Sequence, residues 1–196
     1  MLTREPVKAV FFDKDGTLVE DVPYNVDPAR LSLAPGIGAA LRCLQDAGYR
    51  LVVVSNQSGI ARGYFSEEAL ARLEYVLRQR LEILGVSLQG FYYCPHHPQG
   101  TVPAYTRRCS CRKPEPGLLL RSAREHNIDL RRSWLVGDIL DDVQAGRRAG
   151  CRTILLDNGN ETEWFLSRER LPHHLAANIA MVQAIISAVD AGTCYE

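Results

Sequence analysis

Two carboxylates one residue apart, Asp13 and Asp15, end the apolar run Val7-Lys8-Ala9-Val10-Phe11-Phe12, and Gly16 and Thr17 follow them. Such a pair repels itself unless a cation or a shared proton relieves the charge. A hard divalent cation such as magnesium is therefore the first expectation; the plain alternative is that both acids only cap a turn. Further along, Ser55-Asn56-Gln57-Ser58 offers hydroxyls and amides that can donate to anionic oxygens. Arg112-Lys113 places two cations ahead of Pro114-Glu115-Pro116, and Gly137-Asp138 is followed one turn later by Asp141 and Asp142. A nucleophile, neutral donors, fixed cations and a metal-binding acid are the parts that phosphoryl transfer needs, because positioning and charge neutralisation supply most of its catalysis.

A second constellation lies between the donors and the acids. Cys94-Pro95-His96-His97-Pro98 is separated by ten residues from Cys109-Ser110-Cys111. Cys94, His96, Cys109 and Cys111 form a Cys₃His set with no position left open, the pattern of a structural zinc site, and His97 is the rival for His96. A disulfide between Cys109 and Cys111 is strained by their spacing and disfavoured in a reducing compartment. Arg107, Arg108, Arg112 and Lys113 lie alongside and would offset the thiolate charge. Zinc in this loop, residues 94–111, would fix where Arg112 and Lys113 point.

These groups need a scaffold that brings distant segments together. Val7 to Phe12 reads as a strand buried on both faces. A helix is expected near 36–47, a β-branched strand at 50–54, and a helix from Ser66 as N-cap to about Leu84, with Glu67 and Glu68 in its first turn. A strand at 88–93 precedes the poorly periodic stretch 94–114. A helix from Pro116 to about His126, a strand at 133–136, a helix at 140–149, a strand at 152–156 and a last helix near 176–190 complete the chain. This alternation predicts an α/β sandwich of three layers around a mostly parallel sheet. Acids and donors then gather at the carboxyl ends of the strands, where open α/β sheets bind ligands. Lys14, between the two acids, is expected to point away as a bystander.

Length fits one domain, 1–196, with the 94–111 loop as an insertion. The 23 basic and 23 acidic residues cancel, so net charge advertises neither nucleic acid nor an acidic membrane. The start lacks the apolar region of a signal peptide, and no segment approaches the roughly 20 apolar residues of a membrane span, which makes a cytoplasmic protein the default. Of the remaining cysteines, Cys43 and Cys151 read as buried apolar fillers and Cys194 falls in a frayed tail.

Asp13-Lys14-Asp15-Gly16-Thr17, then Ser55, then Lys113, then Gly137-Asp138 with Asp142 resembles the four motifs of the haloacid-dehalogenase-type phosphatases, in their order. Ser55-Asn56-Gln57-Ser58-Gly59-Ile60-Ala61-Arg62-Gly63, the Cys/His loop, Cys111-Arg112-Lys113-Pro114 and Gly137-Asp138 are similar to a narrower branch. That branch holds the D-glycero-D-manno-heptose 1,7-bisphosphate 7-phosphatases and histidinol-phosphate phosphatases, and the likeness runs from about residue 7 to 160. The resemblance implies a Rossmann-like fold and hydrolysis of a small phosphorylated sugar through an aspartyl-phosphate. Asp13 would be the nucleophile and Asp15 the proton shuttle, while Ser55 and Lys113 would hold phosphoryl oxygens. Magnesium would sit on the Asp13 carboxylate, the Asp15 carbonyl and Asp138. Asp142 would either support that metal or only cap the next helix. Asp21, Val22, Pro23 and Tyr24 would form a substrate-contacting turn, joined by Asn56, Gln57 and Ser58, and Arg112 would grip a second, non-reacting group.

Two features depart from the pattern: Ile139 stands where many heptose phosphatases carry Lys, and the turn Leu18 to Pro28 is unusually apolar and proline-rich. The stretch between the first two motifs holds one flap-like loop and one helix and leaves no room for a separate cap domain of about 50 residues or more. Histidinol phosphate is the alternative substrate. A nucleic-acid end phosphatase is opposed by the neutral charge, and a zinc-stabilised binding module with a vestigial site by the intact acids. Trp164 is expected to pack against a loop, with stacking on a sugar as the alternative. Oligomeric state is not readable from the sequence.

Overall fold

The computed structural model describes residues 5–192. Six strands form one sheet: β1 (Ala9–Phe12), β2 (Arg50–Asn56), β3 (Leu88–Cys94), β4 (Trp134–Gly137), β5 (Arg152–Leu156) and β6 (His174–Ala176). Their order is β3-β2-β1-β4-β5-β6, and every neighbouring pair is parallel. The chain first builds outward from β1 through β2 to β3, then returns to the other side of β1 with β4. Strand order therefore reverses at β1, and in open α/β sheets the ligand crevice opens at such a point, beyond the carboxyl ends.

Five helices cover the sheet: α1 (Ile37–Asp46), α2 (Glu67–Ile83), α3 (Gly117–His126), α4 (Leu140–Ala149) and α5 (Ile179–Asp190). Side chains of β1 alternate between two cores, as a strand's period of two requires. Val10 and Phe12 join residues of α1, α2 and α5 on one face. Ala9 and Phe11 join Leu118 and Leu119 of α3 and Ala145 of α4 on the other. All four are fully buried, so the strand ahead of the paired acids is anchored from both sides. Ser66 caps α2 by accepting from the Ala69 N–H at 3.3 Å, with Glu67 and Glu68 in its first turn, as expected.

The architecture is the expected three-layer parallel sandwich, and residues 13–36 hold a short 3-10 turn, Pro28–Arg30, and two isolated β-bridges, with no cap domain. Two local expectations fail. The last helix is expected from about residue 176, but Ala176 closes β6 by pairing with Leu156 of β5, and α5 begins at Ile179, where Asn178 accepts from the Met181 N–H at 3.0 Å. Cys43 is exposed, since the buried stripe of α1 runs through Ile37, Ala40, Leu41 and Leu44 and position 43 falls beside it. Cys151 is buried as expected, and Cys194 lies outside the described residues.

Candidate active site

β1 leads into Asp13, Lys14 and Asp15, β2 ends in Ser55 and Asn56, and β4 leads into Asp138. Lys113 comes from the loop before α3 and is 2% exposed. Its ammonium lies 2.5 Å from Asp13 Oδ1 and 2.5 Å from Asp142 Oδ1, and it donates to the Val54 carbonyl at 2.9 Å. Burial alone would pull this lysine's pKa down; Asp13 and Asp142 outweigh it, so the group stays a firm cation. The Asn56 side chain clips the Lys113 backbone, accepting from its N–H and donating to its carbonyl, both at 3.0 Å. The Asn56 amide is thus committed to holding Lys113, where the sequence reading gave it to substrate.

Asp15 has a different environment. Its Oδ1 is 2.5 Å from the Lys14 ammonium, and its Oδ2 accepts from Gln57 Nε2 at 3.0 Å. Gln57 also donates to Ser55 Oγ at 2.8 Å, leaving the hydroxyl hydrogen of buried Ser55 free for another acceptor. Burial raises the Asp15 pKa, with Lys14 as the opposing influence and Asp13 adding to the rise. The bystander reading of Lys14 is overturned: its side chain turns inward onto Asp15. Asp15, Asp21, Pro23, Tyr24, Asn56, Gln57 and Ser58 line one cavity of 280 Å³; Val22 is half-buried outside that lining. Tyr24, in left-handed backbone at φ 55°, meets the edge of Tyr64 with ring centroids 4.7 Å apart.

Asp138 and Asp142 complete the acidic cluster. Asp138 Oδ2 accepts from Asn160 Nδ2 at 2.7 Å, and Asn158 donates to the Gly16 carbonyl at 2.7 Å. Burial first, and then Asp13, push Asp138 up to about 6. Asp142 is 1% exposed and, of the two roles the sequence left open, takes that of capping the next helix. Its Oδ2 accepts from the Ile139 N–H at 3.4 Å, while Oδ1 faces Lys113. Two glycines are needed here for space. A Cβ on Gly16, at φ +75°, would lie 2.0 Å from Asp138 Oδ2, and one on Gly137 would lie 2.3 Å from Asp142 Oδ2.

The cluster suits a divalent cation. Oxygens of Asp13, Asp138 and Asp142 lie within 4.8 Å of one another. Three carboxyl groups, Asp13, Asp138 and Asp142, thus gather around the Lys113 ammonium, and a divalent cation would relieve their mutual repulsion. Asp142 is engaged by Lys113, so Asp13 and Asp138 are the side chains available to an ion.

Beside this cluster, His97, Arg108, Arg112, Lys113 and Asp141 line a cavity of 600 Å³. Arg112 lines this cavity, and its Nη1 is buried with no hydrogen-bond partner among the described residues. Arg62, which the sequence reading passed over, sets its Nη2 3.3 Å from His97 Nε2 and also keeps a buried, unpartnered nitrogen. Burial, then Arg112 and Arg62, pull the His97 pKa down.

The sulfurs of Cys94, Cys109 and Cys111 sit 3.2–3.4 Å apart, unbonded, and His96 Nδ1 is 3.6 Å from Cys94 Sγ and 3.4 Å from Cys111 Sγ. His97 instead accepts from the Gln99 N–H and faces Arg62, which assigns His96 to the set. Hydrogen bonds from Cys94 foremost draw the Cys111 thiol down, while the same contact and burial push Cys94 up, so Cys111 is the readier of the two to ligate a metal as thiolate. Trp164 is 50% exposed and not packed as expected; Phe165 and Leu166 beside it are exposed too. No helix among the described residues is long and apolar enough to cross a membrane.

Comparison with known proteins agrees with this geometry. The HAD-hydrolase-like family model matches residues 110–182. The D-glycero-β-D-manno-heptose-1,7-bisphosphate 7-phosphatase of Haemophilus ducreyi is 47% identical over 150 residues, covering 76% of this chain and 82% of that one. The Escherichia coli K12 protein of the same name is 42% identical over 171 residues, with 82% and 89% covered. A HAD-like phosphatase structure from Mesorhizobium loti superposes with TM-score 0.83 at 33% identity, covering 97% of this chain and 90% of that one. The D,D-heptose 1,7-bisphosphate phosphatase of B. bronchiseptica, solved with magnesium and phosphate, gives 0.75 at 29% identity, with 93% and 99% covered. These relatives do not favour histidinol phosphate. With its two acids, its lysine and its Cys/His loop in place, the chain belongs to the D-glycero-β-D-manno-heptose-1,7-bisphosphate 7-phosphatase family of HAD-type phosphatases.

Proposed function

We propose that this chain, acting as a single domain, hydrolyses the 7-phosphate of D-glycero-D-manno-heptose 1,7-bisphosphate. The observation that carries the reading is the separation of partners around the two acids: Asp13 faces Lys113, whereas Asp15 is held by Lys14 and Gln57. One carboxylate is thereby set against a cation beside the phosphoryl group, and the other toward the substrate cavity. Asp13 attacks phosphorus and becomes an aspartyl-phosphate while Asp15 gives its proton to the departing sugar oxygen. Water then attacks the phosphorus and Asp15 takes a proton from it.

Ser55 and Lys113 hold phosphoryl oxygens, and Lys113 keeps Asp13 oriented throughout. Asp13, Asp138 and the Asp15 carbonyl would hold magnesium, which when bound neutralises charge on the phosphoryl group. Asp21, Tyr24 and Ser58 face the sugar, and Arg112 grips the non-reacting phosphate through its unpartnered nitrogen. Cys94, His96, Cys109 and Cys111 hold a structural zinc, which suits a cytoplasmic setting where thiols remain reduced.

The test compares phosphate release from heptose 1,7-bisphosphate, histidinol phosphate and p-nitrophenyl phosphate, by the wild type and Asp13→Asn, with magnesium. Turnover of the bisphosphate by the wild type alone is expected. Release only from histidinol phosphate would overturn the substrate, and equal background rates in both proteins would overturn the enzyme.

A further inference from the structure

Lys14 has no part in the roles assigned so far. Its side chain is 2% exposed, and its ammonium lies 2.5 Å from Asp15 Oδ1, its partner among the described residues. A buried ion pair is a poor structural device, because replacing it by apolar groups of similar volume is often neutral or stabilising. Something other than stability accounts for a charge held there. The second oxygen of Asp15 is taken by Gln57, which is itself anchored on Ser55. Each oxygen of one carboxyl thus has its own donor, one from the end of β1 and one from just beyond β2. The Asp15 side chain remains 31% exposed, on the cavity that Tyr24 and Ser58 share.

We propose that Lys14 is a positioning residue that, together with Gln57, holds the Asp15 carboxyl in one orientation toward the leaving oxygen of the substrate. The proposal rests on the phosphatase reading above. In the first half-reaction the Asp13–phosphorus bond forms, the bond from phosphorus to the leaving oxygen breaks, and the Asp15 proton passes to that oxygen. In the second, the bond from water oxygen to phosphorus forms, the Asp13–phosphorus bond breaks, and a water proton returns to Asp15. Lys14 exchanges no proton. It keeps the carboxyl from dividing its time among staggered rotamers, only one of which reaches the leaving oxygen.

A leaving-group series separates this role from a structural one. A sugar alkoxide or phenolate needs a proton as it departs far more than p-nitrophenolate does. Because kcat/KM covers only steps through formation of the aspartyl-phosphate, it isolates the proton donation. The experiment measures kcat/KM of full-length wild type, Lys14→Met and Lys14→Arg on p-nitrophenyl phosphate, phenyl phosphate and heptose 1,7-bisphosphate, together with Tm. Lys14→Met is expected to lose about 100-fold on phenyl phosphate and the sugar, but less than about fivefold on p-nitrophenyl phosphate. Its Tm should fall, because Asp15 is left without its cation, and Lys14→Arg should recover most of both losses. Lys14→Gln, a shorter neutral donor, carries the same comparison if Lys14→Met does not fold.

Equal losses across the series, or no loss, overturn the proposal. A wild type that spares heptose bisphosphate but cleaves the aryl phosphates removes only the substrate reading, and the aryl pair then decides. No wild-type turnover above Asp13→Asn removes the phosphatase reading and this proposal together.

Discussion

Lys113→Met is the sharpest perturbation of the site. The side chain is nearly isosteric, but the two carboxylates at 2.5 Å lose their shared cation. At an effective dielectric of about 20, each contact carries roughly 7 kcal/mol of attraction, most of which offsets the cost of taking the charges out of water. Removing one partner forfeits the attraction and leaves that cost standing, so the expected destabilisation is about 3–5 kcal/mol. In a protein of this length that lowers Tm by roughly 6–20 °C. Asp142→Asn in the same background keeps an oxygen for the Ile139 N–H and removes one orphaned charge, recovering about 1–3 kcal/mol. Urea unfolding of the wild type, both single variants and the double variant, in magnesium-free buffer, gives the coupling directly. A Lys113→Met midpoint equal to wild type, or a double variant as unstable as the singles summed, would refute the argument that buried, unpaired carboxylates set the loss.

Three further outcomes are expected. Purified protein should carry close to one zinc per chain and Cys111→Ser none, with a lower Tm; wild type free of zinc would sink the structural-metal assignment. Gly16→Ala drives a Cβ into Asp138 Oδ2 from a strained φ and should weaken magnesium binding about 10–100-fold by calorimetry, whereas unchanged affinity would separate Asp138 from the metal. Asp138 has its folded pKa raised to about 6, against about 3.9 in the unfolded chain. Folding therefore retains a proton, and metal-free stability should fall as pH rises from about 4 to 6. Magnesium replaces that proton, so its Tm gain should be larger near pH 7.5 than near pH 5; a pH-independent gain would contradict this.

The elements that position the chemistry were legible because each carries a local signal. β1 is uninterrupted apolar sequence before two acids, α2 has its Ser66 cap, and the Cys/His loop announces itself by spacing. What stayed hidden depends on where a side chain turns after the backbone is set. Nothing in Asp13-Lys14-Asp15 says that the lysine folds inward, because alternation along an ideal strand would send it away from both acids. Asn56 looked like a free donor, yet its amide has the geometry to bridge both polar groups of the Lys113 backbone, 57 residues away. Asn158 and Asn160 lie beyond β5 in a polar loop with no periodicity, and only the third dimension brings them to Gly16 and Asp138. β6 is three residues long, too short for a pattern to show.

The distribution of positive charge in the site has a consequence for how its parts depend on one another. Lys113 is shared between Asp13 and Asp142, Lys14 is spent on Asp15, and Asp138 accepts from the neutral amide of Asn160. The unbalanced charge is thus concentrated on Asp13 and Asp138, the two side chains assigned to magnesium. An ion that binds only the folded chain stabilises it by about 2.7 kcal/mol at 100 times its Kd. Bound there, it would offset burial costs at Asp138, which no lysine among the described residues contacts directly. The proton shuttle has a separate cation and a separate amide, so loading the metal site leaves the Asp15 contacts to Lys14 and Gln57 in place. Substitutions at Lys14 should accordingly change proton donation without changing magnesium affinity, and substitutions at Gly16 or Asp138 should do the reverse.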